Sequence, residues 1–304
     1  YTLSISSTIE LIIPSFVCNR QIDLTFFVRK NKIMALILHF IDCVLAECYD
    51  LCVKNKSLLL TRKEEYSMKG TKLFKNARLK GQKELVSILV EDGIIKKISA
   101  DIPHEKITVC EEVDLNGQLV IPPYVDPHLH LDYVFTASLG EENGSGTLFE
   151  GIQRWSESKG NMSVEQMKKR IYNGIKKEML HGVQAIRTHI DVTDPTFTGL
   201  KAALEVRDEL KDILDLQIVA FPQEGMYAYK GGDELVEEGL KMGADCVGAI
   251  PHFELAREFG EKSVHKTIEL AVKYNKLVDV HCDETDDTRS QNPSGTYDVT
   301  RRNY

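Results

Sequence analysis

The sequence lacks the patterns that mark disulfide-rich, zinc-knuckle and nucleic-acid-binding proteins. Its seven cysteines are an odd number with no repeated C-x-x-C unit, which argues against a disulfide framework and indicates a reducing, cytoplasmic compartment. The formal net charge is -8, so the clustered positive charge that nucleic acids and anionic membranes require of a partner is missing. These absences favour a small, neutral or cationic molecule as the substrate.

Long uncharged apolar runs are also missing. Residues 34–40 (MALILHF) follow basic residues and superficially resemble an anchor, but acidic residues interrupt the pattern from Asp42 onward, and a spanning helix needs about 20 mostly apolar residues. We therefore expect no membrane anchor. Residues 1–67 match nothing that follows, and they are expected to be a disordered or loosely helical extension or an upstream stretch outside the working protein. Met68 is a plausible start.

A small β subdomain is predicted over residues 68–120. Three short apolar stretches, at 72–79, 85–90 and 93–98, have the composition of β-strands. Glu91-Asp92-Gly93 joins the second stretch to the third as a hairpin turn, because Asp-Gly readily adopts the positive φ angles of tight turns.

Strand and helix patterns then alternate at intervals of about thirty residues, the length of one βα unit. This spacing predicts parallel strands with crossover helices. Together with the strand before the histidines it gives an α/β fold, an incomplete (β/α)8 TIM-type barrel of about five strands over residues 121–287. Residues 288–304 are polar and unpatterned and are expected to be a tail. The strands after the first begin near Val183, Leu216, Val247 and Leu277.

Start and stop signals place three of the helices. Ser163 and Gln166 form a capping-box pattern, and Gly182 is placed to end the helix that follows. Asp233 and Ser263 are predicted to open two later helices.

Two histidines one residue apart lie at the centre of the predicted site. Side chains alternate along a strand, so His128 and His130 project to the same side and can share a metal ion. Gln118–Ile121 supplies strand character, while Pro122-Pro123 and Pro127 indicate a strand end or loop. The pair alone is also compatible with ordinary surface or hydrogen-bonded histidines.

Polar clusters follow the other predicted strands, where the active site of a barrel enzyme is expected. Each member has an ordinary alternative: His281 as a packed strand-end histidine, Glu284 as a solvated turn carboxylate and Gln223 as a loop-capping amide. The joint pattern is stronger than any member. The clusters are RTHID (187–191), FPQEG (221–225), PHFE (251–254) and HCDE (281–284).

Six ordered motifs together resemble the cytosine deaminases of the amidohydrolase superfamily, over roughly residues 68–287. The compact nucleobase deaminase fold pairs H-x-E with P-C-x-x-C, and the chain has no P-C-x-x-C to accompany its single H-x-E at 252–254, which argues against that fold. The motifs are IPPYVDPHLHLD (121–132), SGTLFEGIQRW (145–155), AIRTHIDV (185–192), LQIVAFPQEG (216–225), ADCVGAIPHFE (244–254) and VDVHCDETDD (278–287).

The resemblance implies that His128, His130 and His281 bind one divalent ion, Fe²⁺ or Zn²⁺, with open positions for water. The fourth strand ends in Ala249–His252 without a lysine, which favours one metal over a binuclear site.

The resemblance also implies three roles toward the substrate. Glu284 resembles the family's proton shuttle, which takes a proton from the water and passes protons to the ring nitrogen and the departing amine. Gln223 resembles the residue whose amide reads the pyrimidine edge. Leu148 resembles the residue that offers a backbone carbonyl to the same edge.

Other polar side chains near the site have more ordinary interpretations. Arg187, His189 and Asp191 are interpreted as a buried structural network. His252 either faces the site or stabilises its turn, and Trp155 is expected to pack inside a helix.

The expected function of the parent protein is hydrolysis of cytosine to uracil and ammonia. The family pattern continues with a sixth-strand histidine and an eighth-strand aspartate, and nothing after Asp287 matches it, so this chain alone is expected not to turn over cytosine. The alternatives are a non-catalytic fragment or interaction protein that pairs with other chains, as in a homo-oligomer, and a deaminase of a related ring such as isocytosine, creatinine or a triazine.

Overall fold

A computed structural model gives the fold of most of the chain. The predicted extension 1–67, with its apolar stretch 34–40, and the predicted tail 288–304 lie outside the described residues. Within the described part, no helix combines the length and the apolar character needed to cross a membrane. The described residues are 70–102, 111–137, 139–282 and 284.

The first sheet is built around one long strand. The strand order is β3-β2-β1-β4, and β5 also pairs with β1. Asp92 and Gly93 join β2 to β3 with φ angles of 51° and 78°, so the predicted hairpin turn is confirmed. The strands are β1 (Thr71–Leu79), β2 (Leu85–Glu91), β3 (Ile94–Ser99), β4 (Glu111–Asp114) and β5 (Leu119–Val120).

The second sheet is a curled, all-parallel half-barrel in chain order, which confirms the predicted incomplete barrel. Its second strand has the predicted bounds, and all nine of its residues are buried, as expected for a parallel strand covered on both faces. The strands are β6 (Tyr124–Leu129), β7 (Val183–Asp191), β8 (Asp215–Phe221), β9 (Cys246–Ala249) and β10 (Leu277–Val280).

Helices cover this sheet and follow its strands. Ser163 and Gln166 form the predicted capping box, and Gly182 follows the end of that helix with a φ of 87°. Asp233 lies in the first turn of its helix rather than at the cap. The helices are α1 (Leu148–Lys159), α2 (Val164–Leu180), α3 (Thr198–Leu210), α4 (Gly232–Met242) and α5 (Arg257–Tyr274), and a 3₁₀ turn covers Pro251–Phe253.

Two further local predictions were wrong. Helix α5 begins at Arg257, six residues before the predicted cap, and the buried Ser263 hydroxyl donates to the Gly260 carbonyl inside the helix at 2.8 Å. Leu119–Val120 does not lead continuously into the histidines, because it pairs with β1 in the first sheet.

Proline shapes the strand that carries the first histidine. Pro127 lies inside β6, and because it has no N–H group, the pairing with β7 shifts register between Asp126 and Leu129. The His128 amide instead donates to the Asp126 Oδ1 atom at 3.0 Å. The histidine therefore lies on an irregular segment of the strand.

Candidate metal centre and active site

Four histidines meet at the carboxyl ends of the barrel strands. One ring nitrogen from each of His128, His130, His189 and His281 lies within 4.8 Å of the others. The Nε2 atoms of His130 and His281 are 3.0 Å apart. The structure thus brings together the three histidines predicted as ligands and adds His189, which sequence reasoning had assigned to a structural network.

Neighbouring elements hold these histidines in place. His128 lies in β6 and His130 directly after it, while His281 directly follows β10 and donates its amide to the Ala249 carbonyl at 2.9 Å. The Leu131 amide donates to the Thr188 hydroxyl at 2.9 Å, which fastens the chain beyond β6 to β7. Backbone contacts between strands therefore position the imidazoles.

The pKa values of three of these imidazoles are lowered, which favours their neutral form. Burial, followed by repulsion from the neighbouring histidines, lowers the pKa of His130 to about 2 and that of His281 to about 3. The pKa of His128 is also lowered, chiefly by burial. A neutral imidazole has a free lone pair, which is the form that binds metals.

The donor set fits a divalent transition metal. Two nitrogens bound to one ion at about 2.1 Å lie roughly 3–4 Å apart, and the His130–His281 separation is in keeping with that spacing. Among the described residues, the buried Nδ1 atoms of His130, His189 and His281 have no hydrogen-bond partner. A cluster of unpaired, buried nitrogen donors is typical of a metal site.

An aromatic ring lies against the cluster. Phe221, at the end of β8, is fully buried, and its ring centroid is 4.2 Å from that of His281 and 5.5 Å from that of His189. The apolar ring limits solvent access to the imidazoles from this direction.

A partly buried carboxylate connects two strands beside the cluster. Asp279 in β10 places Oδ2 at 2.8 Å from an Arg187 guanidinium nitrogen and Oδ1 at 3.1 Å from His189 Nε2. Burial raises the pKa of Asp279, but interactions with His189 and Arg187 outweigh it and lower that pKa to about 2. Arg187 and His189 do share a network, as predicted, but its acid is Asp279 rather than Asp191.

Gln223 is connected to the histidines through a tyrosine. The Tyr133 hydroxyl donates to the buried Gln223 Oε1 atom at 2.6 Å. The Tyr133 ring lies 4.7 Å from the His130 ring and 5.0 Å from the Trp155 ring, measured between centroids. The sequence motif gave no signal for Tyr133, because its contact with Gln223 joins residues 90 positions apart.

Helix α1 brings Leu148 to the apolar side of the site. Leu148 is the first residue of this helix and packs against a cluster that includes Phe221. The other end of the helix is fixed to β7, because Trp155 Nε1 and Lys159 Nζ donate to Asp191 Oδ2 at 2.8 and 2.9 Å. Trp155 lies within the helix and its side chain is buried, as predicted, and its hydrogen bond also anchors the helix to β7.

Lys159 also fixes the loop that carries Gln223, since it pairs with Glu224. Burial lowers the pKa of Lys159, but the two carboxylates, Asp191 and Glu224, more than offset this and the net shift is upward. The ammonium group therefore stays charged and holds the loop in place.

Glu284 and His252 form a pair at the opening of the site. His252 Nε2 lies 3.3 Å from Glu284 Oε2, and the side chains are 2% and 31% exposed. The charge of Glu284 partly counteracts the lowering of the pKa of His128, so the carboxylate acts electrostatically on the histidine cluster. Of the two interpretations of His252, the structure favours the one that faces the site.

Glu254 shapes the loop after β8. Its carboxylate accepts backbone N–H groups from Met226 at 2.6 Å, Tyr227 at 3.0 Å and Ala228 at 2.7 Å. The acid therefore closes the turn just beyond Gln223 and Glu224.

Comparison with known proteins agrees with this geometry. The sequence profile of the amidohydrolase family matches residues 111–295, more than half of the chain. The chain belongs to the amidohydrolase family. This amidohydrolase is 45% identical to 5-methylcytosine deaminase from Klebsiella pneumoniae, solved with 5-fluorocytosine, with a TM-score of 0.70 over 76% of the chain and 55% of that protein. The sequence-based resemblance to cytosine deaminases is thereby confirmed.

Two further relatives act on a different compound. N-isopropylammelide isopropyl amidohydrolase from Pseudomonas sp. (strain ADP) is 32% identical over 69% of the chain and 52% of its own length. The solved N-isopropylammelide isopropylaminohydrolase from Burkholderia multivorans is 26% identical with a TM-score of 0.62, over 77% of the chain and 57% of that protein. The amidohydrolase chain spans about half the length of these relatives.

Proposed function

We propose that the protein acts in the cytoplasm as a metal-dependent hydrolase that removes the exocyclic amino group of a cytosine-like pyrimidine. The observation that carries the proposal is the 45% identity to 5-methylcytosine deaminase over 76% of the chain. The family profile match over residues 111–295 includes the histidine cluster, Gln223 and Glu284. The products from cytosine would be uracil and ammonia.

One divalent ion, Fe²⁺ or Zn²⁺, would be held by His128, His130 and His281. The closeness of their ring nitrogens, the lowered pKa values of His130 and His281 and the unpaired Nδ1 atoms of those two residues support this assignment. The ion would lower the pKa of a water molecule, so that the water becomes a usable nucleophile near neutral pH.

Gln223 and Leu148 would orient the ring of the substrate. The Gln223 amide is buried, and one of its functional groups is already taken by the Tyr133 hydroxyl, so its direction is set before a ligand arrives. An amide offers both a donor and an acceptor, and a pyrimidine amide edge presents the complementary pair. Leu148 would add its backbone carbonyl to the same edge.

Glu284 would move protons between water and substrate. Its carboxylate is partly exposed, close to the buried His252, and at the rim of the histidine cluster, which suits a group that must accept and release protons. We assign to Glu284 the transfer of protons to the ring nitrogen and to the departing amine.

A related amino-heterocycle is the second candidate substrate. The relatives named for N-isopropylammelide favour it, since they share the fold and about a quarter to a third of the aligned residues. A pterin deaminase from Rhizobium rhizogenes is 26% identical as well. Isocytosine, creatinine and triazines therefore belong in the same assay as cytosine.

The test measures ammonia release by the protein as it exists in its source cell, loaded with Fe²⁺ or Zn²⁺. We expect release from cytosine or 5-methylcytosine, and a loss of roughly 10²–10⁴-fold in Glu284→Gln, which keeps the shape of the side chain but cannot shuttle protons. Release from another heterocycle alone would reassign the substrate. Absence of release from every ring, with metal bound, would favour the non-catalytic interaction protein.

A further inference from the structure

We propose that His252 is a positioning residue, which holds the carboxylate of Glu284 in the direction that proton transfer requires. This role rests on the proposed function, in which Glu284 moves protons between water and substrate. His252 acts on that carboxylate rather than on the substrate. The observation behind it is a buried imidazole, on a tightly packed turn, that faces the partly exposed carboxylate.

The turn that carries His252 is fixed by its neighbours. His252 is the middle residue of the 3₁₀ turn Pro251–Phe253. The Phe253 ring stacks on that of Phe149 in α1, with centroids 5.7 Å apart and planes 25° apart. Helix α5 approaches so closely at Gly260 that a Cβ atom there would lie 2.6 Å from the carbonyl oxygen of Pro251. Contacts on both sides therefore present the imidazole in a set direction.

The residue after this turn connects it to the loop that carries Gln223. The Glu254 carboxylate accepts three backbone N–H groups just beyond Gln223, from Met226, Tyr227 and Ala228. One short segment thus fixes the partner of the proposed proton carrier and the loop of the proposed substrate-reading amide.

His252 is placed to orient Glu284. Its Nε2 atom lies 3.3 Å from Glu284 Oε2, and the side chains are 2% and 31% exposed. Within the described part of the chain, no other side chain lies within hydrogen-bonding or ion-pairing distance of this carboxylate. The contact is longer than a well-aligned hydrogen bond, and catalytic hydrogen bonds in unliganded enzymes commonly shorten once the substrate is bound.

The chemistry of the two groups is complementary. A carboxylate offers only acceptors, and a neutral imidazole offers one donor and one acceptor. With its hydrogen on Nε2, His252 would donate to Oε2 and keep its own proton. Glu284 Oε1 would then be left to take a proton from water and pass it on. The buried Nδ1 atom of His252 has no hydrogen-bond partner among the described residues, which is unusual for an imidazole that serves packing alone.

The first test locates the hydrogen of His252 without measuring activity. Nitrogen-15 NMR of the Zn²⁺-loaded, histidine-labelled protein should show the hydrogen on Nε2, and the signal should shift in Glu284→Gln. The exposed His265 is the reference, because its signal should not respond to that change. A His252 imidazole with its hydrogen on Nδ1 alone would overturn the proposal, since Nε2 could not then donate.

The second test compares the kinetics of cytosine deamination among metal-loaded variants of the protein as it exists in its source cell. Misplacement of a reacting group by about 1 Å can cost about 100-fold in rate. We therefore expect kcat to fall about 10–100-fold in His252→Leu, with KM and metal content little changed. His252→Gln, whose NH₂ group can replace the Nε2–H donor, should recover most of this loss. Unchanged kcat in His252→Leu would overturn the proposal.

A double variant separates positioning from a general effect on the fold. In the Glu284→Gln background, His252→Leu should lower kcat less than about twofold, because its effect passes through that carboxylate. An equal loss in both backgrounds would overturn the positioning role and leave the proposed function standing. Absence of ammonia release from every ring, with metal bound, would overturn the proposed function, and the NMR result alone would then decide whether His252 holds Glu284.

Discussion

Single side chains in this site are oriented by partners that are far away in the sequence. The Tyr133 hydroxyl donates a hydrogen bond to Gln223 Oε1, so the NH₂ group of that amide remains available to other partners. The tyrosine ring is fixed in turn between His130 and Trp155. In the proposed site, recognition of a substrate by Gln223 and the packing of the histidine cluster would therefore depend on the same aromatic ring.

Replacing the tyrosine by phenylalanine isolates the role of its hydroxyl. Tyr133→Phe keeps the ring contacts but loses one hydrogen bond, worth roughly 0.5–1.5 kcal/mol. We expect cytosine to bind roughly 2–10-fold more weakly to the metal-loaded protein, with metal affinity unchanged, as measured by calorimetry. Unaltered cytosine binding would show that Gln223 keeps its direction without the hydroxyl.

A second residue-scale prediction concerns the loop that carries Gln223. Glu254→Ala leaves three backbone N–H groups without their carboxylate, and hydrogen bonds to a charged group contribute roughly 1.5–3 kcal/mol each at most. We expect the free energy of unfolding to fall by about 2–4 kcal/mol in chemical denaturation. Glu254→Gln, which keeps an acceptor oxygen, should lose less, and equal losses would contradict the role of the acceptor.

The sequence predicted some of these residues and missed others for a physical reason. His128 and His130 stand out because alternation along one strand places them on one side, and His281 stands out at the end of a regular βα repeat. His189 gave the same local signal, a polar residue near a strand end. Its partner Asp279 is 90 residues away, and no local pattern indicates that contact.

At the scale of elements, local rules predicted a helix when its start is exposed and failed when it is buried. The capping box at Ser163 is exposed to solvent and marks the start of α2. Ser263 is also of a residue type favoured at helix starts, but it is buried within α5. The start of α5 is determined instead by packing, since Gly260 in its first turns approaches Pro251 closely.

That close approach can be tested with a pair of glycine substitutions. A Cβ atom on Gly260 would lie 2.6 Å from the Pro251 carbonyl oxygen, so Gly260→Ala must push α5 away from the turn that holds His252. Overpacking of this kind costs about 1–3 kcal/mol. Thermal denaturation should show a lower midpoint, and catalytic turnover should fall with it.

Gly160→Ala is the matched control, because a Cβ atom there meets nothing within 4 Å and its φ angle is -68°. This change should leave stability unchanged or raise it by about 0.4–1 kcal/mol. A similar loss in both variants would mean that the Gly260–Pro251 contact is not the cause.

At the scale of the whole molecule, the alternation of strands and helices was enough to predict a partial parallel barrel. Repeat length and apolar strand composition indicate this topology, because the helix of each βα unit covers the apolar face of its part of the sheet. The split between β5 and β6 was not visible, since Leu119–Val120 is as apolar as a barrel strand. Only its pairing with β1 assigns it to the other sheet.

Metal removal is expected to destabilise the barrel sheet as a unit. Of the three proposed ligands, His128 lies in β6, His130 directly follows it and His281 directly follows β10, so a bound ion would tie the first barrel strand to the fifth. A ligand at 100 times its dissociation constant adds about 2.7 kcal/mol to the folded state. Chelation should therefore lower the thermal midpoint, and Zn²⁺ or Fe²⁺ should restore it.

The exposed His265 on α5 provides the control, because His265→Ala should keep the full response to chelator whereas His281→Ala should lose it. A midpoint that does not move on chelation of the metal-loaded protein would argue that the ion contributes nothing to the fold.

The proline inside β6 has a consequence for anyone who redesigns this protein. A residue with a backbone N–H group at position 127 would allow β6 to pair with β7 without the register shift. The His128 amide, which now donates to the Asp126 side chain, would then join that regular pairing. The His128 side chain would then follow the regular alternation of the strand and would no longer lie beside His130, His189 and His281. Idealising the strand, a common route to greater stability, would here remove the irregular segment that carries His128, a proposed metal ligand.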